Sequence, residues 1–197
     1  ISISDAAKVT PPMYTGSTLP GGKNYREFLI RDKSPDDIFK APHYDELGQN
    51  LIASARVDDR VGPNGEKILF VQEIQSDWVQ RGGKQGFKIS EAEQKLRNYY
   101  PTEGVPNLPW NQTDLWVGLT IRKLINQASK EGYDQIAFVN GEQSDIIQGH
   151  SDGRTAEFYN KIVPKNINNE LKRLVKGTKA EVKDIQRSPY IDKHGWT

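Results

Sequence analysis

The chain of 197 residues contains no cysteine. That absence excludes disulfides, thiol nucleophiles and cysteine-ligated zinc together. It also has no excess of one charge: 27 Lys and Arg stand against 26 Asp and Glu, for a formal net charge of +1. Bulk electrostatics therefore give no case for a nucleic-acid or membrane partner. No apolar run approaches the roughly 18 residues of a membrane helix, and the opening ISISDAAKVTPP lacks the basic and apolar regions of a signal peptide. A cytoplasmic protein is expected. His43, His150 and His194 are scattered without metal-ligand spacing, so no metal site is expected from them. The chain opens on Ile1 rather than Met, as a processed product or a piece of a longer protein would.

What is present suits one globular domain. Hydrophobic residues make up 35% and charged residues 27%, enough for a core without an extreme of either kind. Residues 1–22, with TPP, TGST and PGG, read as an irregular leader; 23–187 read as a single α+β domain and 188–197 as a tail. YREFLIR (25–31) is a candidate strand, and 34–49 is expected to hold short helical turns with Ser34 as cap and Pro35 at the first helical position. NLIASARVDDR (50–60) and KILFVQEIQ (67–75) flank VGPNGE, whose Asn64-Gly65 pair signals an antiparallel hairpin.

Ser90 with Glu93 forms a capping box ahead of a helix expected over 91–100. From Thr113, a plausible cap, the spacing of Val117, Ile121, Leu124 and Ala128 is helical, and Gly132 sits where a helix ends. The apolar run 134–141 then predicts a strand buried on both faces and parallel to a neighbour, hence a β-α-β crossover. GRTAEFYNKIV is expected to be a helix broken by Pro164. A second helix to Gly177 and a last strand over 179–186 should follow, completing a mixed sheet. Residues 161–187 carry more Lys and Arg than Asp and Glu, which we read as a solvated helix face.

The most informative stretch is KILFVQEIQSDWVQRGGKQG (67–86), an apolar strand that ends in Glu73, Gln75, Ser76, Asp77 and Trp78. Polar strand ends are where α/β proteins place their chemistry. Glu73, Gln75 and Asp77 are thus the catalytic candidates, with Trp78 closing a core or walling a cleft. By strict alternation Glu73 continues the row of Leu69 and Val71, where a carboxylate loses hydration and becomes useful as a general base or metal ligand. An ion pair of Glu73 with Arg56 or Arg60 on the adjacent strand explains its position equally well. RGGKQG offers flexible backbone with Arg81, Gly82, Gly83, Lys84 and Gly86, the ingredients of a phosphate cradle or of a plain surface loop. The other buried strand ends in NGEQS, so Asn140, Glu142 and Gln143 would lie beside EIQSD at one sheet edge and contact substrate.

Across LPGGKNYRE, HYDE, ILFVQEIQSDW, VPNLPW, EGYDQIAFVNGEQ and EFYNKIVP, the chain resembles an uncharacterised domain of the large polyvalent proteins of bacteriophages and mobile elements. That resemblance implies a phage or prophage origin, a place in the host cytoplasm or the virion, and other domains of a larger phage protein as neighbours. LTIRKLINQASKEGYDQIAFV followed by AEFYNKI is similar, more loosely, to GNAT-type acyltransferases. This second resemblance implies a GNAT-like fold and acetyl-CoA or another acyl-CoA as cofactor. It also implies Glu73 as general base, residues 81–86 at the CoA pyrophosphate, Tyr159 as the acid that protonates the leaving thiolate, and a host protein or nucleic acid as acceptor. A rival resemblance, of ARVDDRVGPNGEKILFVQEIQ to the PD-(D/E)-x-K nuclease core, implies a divalent metal held by Asp59 and Glu73. A non-catalytic virion or host-interaction module is the third reading.

Overall fold

A computed structural model describes residues 4, 7–33, 39–98, 104–149 and 153–174. The cap at Ser34 and Pro35, the strand 179–186 and the tail 188–197 lie outside the described residues. The strands are β1 (Ala7–Lys8), β2 (Lys23–Arg31), β3 (Leu51–Val61), β4 (Lys67–Gln75) and β5 (Gln135–Phe138). They form one mixed sheet in the order β1-β2-β3-β4-β5, antiparallel except for the parallel pair β4–β5. The helices are α1 (Asp77–Gln85), α2 (Glu91–Arg97), α3 (Thr113–Lys130), α4 (Gly141–Gln148), α5 (Arg154–Glu157) and α6 (Val163–Leu174). The protein is therefore mixed α+β, and among the described residues no helix is long and apolar enough to cross a membrane.

The β3–β4 hairpin turns at Asn64-Gly65 as expected, with Gly65 at φ 90°, a region that only glycine enters cheaply. Arg56 pairs with Glu73 but Val57 pairs with Val71, so Gln72 is an extra residue bulged out of β4. The bulge changes the alternation. Glu73 falls on the face of Arg56, Asp58 and Phe70, not in the row of Leu69 and Val71 that strict period-2 reading assigns. One face of the sheet, with Phe28, Ile30, Ala53, Ala55, Val57, Leu69, Val71 and Ile74, is apolar and buried. α3, whose Val117, Ile121, Leu124 and Ala128 are buried, packs on β3, β4 and β5, and α6 packs on α3.

The opposite face carries Glu27, Arg56, Asp58, Gln72 and Glu73, all buried. What covers it is the segment expected to be an irregular leader. The backbone N–H groups of Met13 and Tyr14 donate to Glu27 Oε1, and that of Leu19 to Gln72 Oε1. Arg56 and Arg60 donate to the carbonyls of Ser17 and Leu19. Residues 13–19 thus form a strap held by hydrogen bonds to side chains that could not be buried without them.

Three other expectations need correction. β5 is a four-residue strand with Ala137 its only buried residue, because among the described residues β4 alone flanks it. Gln112, not Thr113, occupies the N-cap of α3, without a side-chain bond. Pro164 does not break the last helix. Phe158–Ile162 form a π turn in which Val163 N–H donates to Phe158 O, and the chain then runs on as α6 through Pro164. The wider turn resets the i→i−4 ladder beside the residue that lacks an N–H.

Candidate functional site

β4 outruns its parallel neighbour. Register ends at Val71 with Phe138, one further bond joins Val139 N–H to Val71 O, and the chain then leaves the sheet for α4 while β4 continues to Gln75. A cleft of about 890 Å³ opens at this divergence. Arg56, Glu73 and Ile74 come from the sheet, Val79, Gln80 and Gly83 from α1, and Gln112, Thr113 and Trp116 from the start of α3. Ile147, Gln148, Thr155, Phe158 and Tyr159 close the far side, and Ser17 and His43 stand on the strap side. A smaller hollow of about 410 Å³ lies between the N-terminal segment and β2; its cations are Lys8 and Arg26, and Arg26 is already engaged by Asp59 at 2.7 Å.

Glu73 is the partner of Arg56, one of the two pairings open in the sequence. Arg56 Nε lies 2.8 Å from Glu73 Oε2, although the N–H direction misses the hydrogen-bond line, so the contact is a close ion pair. Gln148 donates to the other oxygen at 3.0 Å. Burial pulls Arg56 down most strongly of any single influence, but the adjacent Glu73 carboxylate together with Tyr25 and Tyr44 outweighs it and holds the guanidinium above its ordinary value. Tyr159 is buried and receives the Ile74 N–H at 3.1 Å. Burial first, then the Glu73 charge, push its phenol well above the ordinary range, so the hydroxyl keeps its proton at physiological pH.

Gln75 and Asp77 meet a residue that sequence reasoning passed over. His43 Nδ1 lies 2.8 and 2.9 Å from the two Asp77 oxygens, and the His43 backbone N–H donates to Oδ2 at 3.2 Å. Gln75 Nε2 bonds Asp77 Oδ1 and approaches His43 Nδ1 at 3.0 Å. Tyr14, from the strap, donates to His43 O at 2.6 Å. His43 and Asp77 are 34 positions apart, and no local pattern joins them. The one sequence signal was that HYDE and EIQSDW both belong to the resemblance noted above.

The other candidates disperse. RGGKQG is not a loop: Ser76 caps α1 by accepting Val79 N–H at 3.2 Å, and the helix runs through Arg81, Gly82, Gly83 and Lys84 before Gly86 ends it at φ 80°. The helix ladder includes the bond from Gly86 N–H to Gly82 O, so these residues offer no free loop backbone for a phosphate cradle. Of them, only Gly83 lines the cleft. Arg81 lies over the Phe39 ring, and Gly82 faces the Phe87 ring. Trp78 is a core residue, stacked on Phe39 at 4.9 Å and donating to Pro106 O at 2.7 Å.

Asn140 and Gln143 form a reciprocal capping box on α4, at 2.8 and 3.0 Å, with Glu142 in the first turn. Their amides hold a helix end rather than line the cleft. Asp59 faces away from Glu73 because β3 alternates regularly from Arg56 to Asp59, and it binds Arg26, Tyr133 and Asn24 instead. The carboxylate pair of the nuclease reading is therefore not assembled.

No protein-family model matches the chain, and neither a curated protein nor a solved structure matches it.

Proposed function

We propose that the chain is a phage-type domain whose GNAT-like cleft transfers an acyl group from acetyl-CoA or another acyl-CoA to an acceptor in the host, a protein or a nucleic acid. The observation that carries this reading is the parting of parallel strands β4 and β5 beyond Val71 and Phe138, with a cleft of about 890 Å³ in the gap. A pantetheine arm is an extended chain with two amides, and it fits where a strand would otherwise continue. The bulge at Gln72 and the start of α1 directly after β4 adjoin the point of divergence and support the same reading. Ile74 N–H points there, at present onto Tyr159.

In this reaction Tyr159 is the acid. Its hydroxyl stands on the cleft wall at the Ile74 N–H, and in this reading it supplies the proton that a leaving thiolate needs. Glu73 and Arg56 hold opposite charges at the sheet end and fix each other in place. Calorimetric titration of the full chain with acetyl-CoA tests the proposal. Saturable binding that is lost when Ile147 and Phe158 on the cleft wall are replaced by charged residues is expected; a folded chain that takes up no ligand at millimolar concentration sinks it and favours an interaction module.

A further inference from the structure

Asp77 is buried at the first turn of α1, with its side chain 7% exposed, whereas the ring it grips is 49% exposed. A solvated His–Asp pair contributes little to stability. This one nevertheless has a desolvated carboxylate held by the His43 backbone N–H, the His43 ring and Gln75 together. Tyr14 fixes the loop from the other side through His43 O. Two carboxylate oxygens against Nδ1 favour the tautomer with the proton on Nδ1, facing Asp77, over the one in which Nδ1 accepts from Gln75 Nε2 at 3.0 Å, and the favoured form leaves a lone pair on Nε2. No described group bonds Nε2, and His43 lines the cleft that also holds Tyr159.

We propose that His43 is the proton acceptor of this cleft and Asp77 its positioning residue, an inference that deepens the acyl-transfer reading and rests on it. An acceptor X–H gives its proton to Nε2 as X bonds the acyl carbon. The carbon–sulfur bond breaks, and the thiolate takes the Tyr159 proton. Imidazolium then releases a proton to solvent and tyrosinate regains one, so acyl-S-CoA and X–H become acyl-X and HS-CoA.

Three measurements on the full chain test the inference. In the wild type, imidazole 15N chemical shifts are expected to show His43 as the Nδ1–H tautomer; a predominant Nε2–H form overturns the assignment whatever the variants do. Carbethoxylation of His43, followed by peptide mass spectrometry, is expected to slow severalfold in Asp77→Asn and also in the wild type saturated with CoA. A rate indifferent to CoA that binds calorimetrically puts the ring outside the reaction path and overturns the proposal. Thiol release from acetyl-CoA in His43→Gln is expected to fall by about 10²–10⁴-fold with CoA affinity kept, and equal release overturns the base role. If CoA binds neither protein while His43 remains Asp77-dependent in its reactivity, the acyl-CoA reading fails and the oriented histidine stands.

Discussion

Arg56 and Glu73 sit directly opposite each other on β3 and β4, with Nε 2.8 Å from Oε2 and only 6% and 9% of the two residues exposed. Breaking a buried pair from one side leaves the other charge stranded, at about 3 kcal/mol or more. Glu73→Gln is therefore expected to lower the unfolding free energy by about that amount, while Arg56→Met with Glu73→Leu costs less than either single change. Urea denaturation measures both. An unchanged midpoint for Glu73→Gln would mean that the pair contributes no stability.

Gly82 and Gly83 make a paired test of α1. A Cβ on Gly82 would come 2.0 Å from the Phe87 ring, whereas one on Gly83 would meet nothing within 4 Å. Gly82→Ala should destabilise by about 1–3 kcal/mol through overpacking. Gly83→Ala should stabilise by about 0.5–1 kcal/mol, as alanine does in a helix interior. Thermal melts that moved the same way for both would contradict the helix packing.

Asp59 carries a pH signature. Burial raises its carboxyl, but bonds from Arg26, Tyr133 and Asn24 outweigh that and hold it below the ordinary value. A carboxyl lowered in the folded state contributes stability that is complete above its unfolded value, about 4, and is lost as pH falls through the folded one. Melting temperature in the wild type should drop on acidification below that point. In Asp59→Asn the acid limb should be shallower, and an identical limb would remove Asp59 as its source.

Glu27 anchors the strap through Oε1, which accepts from the Met13 and Tyr14 backbone and from the Tyr25 hydroxyl. In Glu27→Gln the acceptor loses its charge, and an amide group enters the buried Oε2 position, which has no hydrogen-bond partner. Amide exchange at Tyr14 and Leu19 should quicken by an order of magnitude or more, for a loss of about 1.4 kcal/mol or greater. Unaltered protection at both would show that the strap is held elsewhere.

The sequence made the hairpin, α3 and the parallel partner of β4 legible, because Asn64-Gly65, the spacing of Val117, Ile121, Leu124 and Ala128, and the apolar run to Val139 are local signals. The bulge at Gln72 was not legible: nothing marks the extra residue until Arg56 and Glu73 are seen to pair. Helix α1 was misread because Gly82 and Gly83 suggest a loop, while the Ser76 cap ahead of them already marked a helix start. Asn140 and Gln143 spell a capping box, yet their place at a strand end drew a substrate reading. The contact of His43 with Asp77 depends on how the segment before β3 folds back over the end of β4, and no periodicity encodes it.

The strap also has a calorimetric consequence. Its described bonds run to Glu27, Gln72, Arg56 and Arg60, so lifting residues 13–19 exposes charges and amides together with the Tyr14 and Leu19 side chains that pack on the core. Polar exposure lowers heat capacity where apolar exposure raises it. Opening of this layer should therefore carry a smaller heat-capacity change than opening of the apolar, α3-covered face, and its free energy should curve less with temperature. Cooling, which weakens the apolar side of the sheet, would leave the charged side fastened.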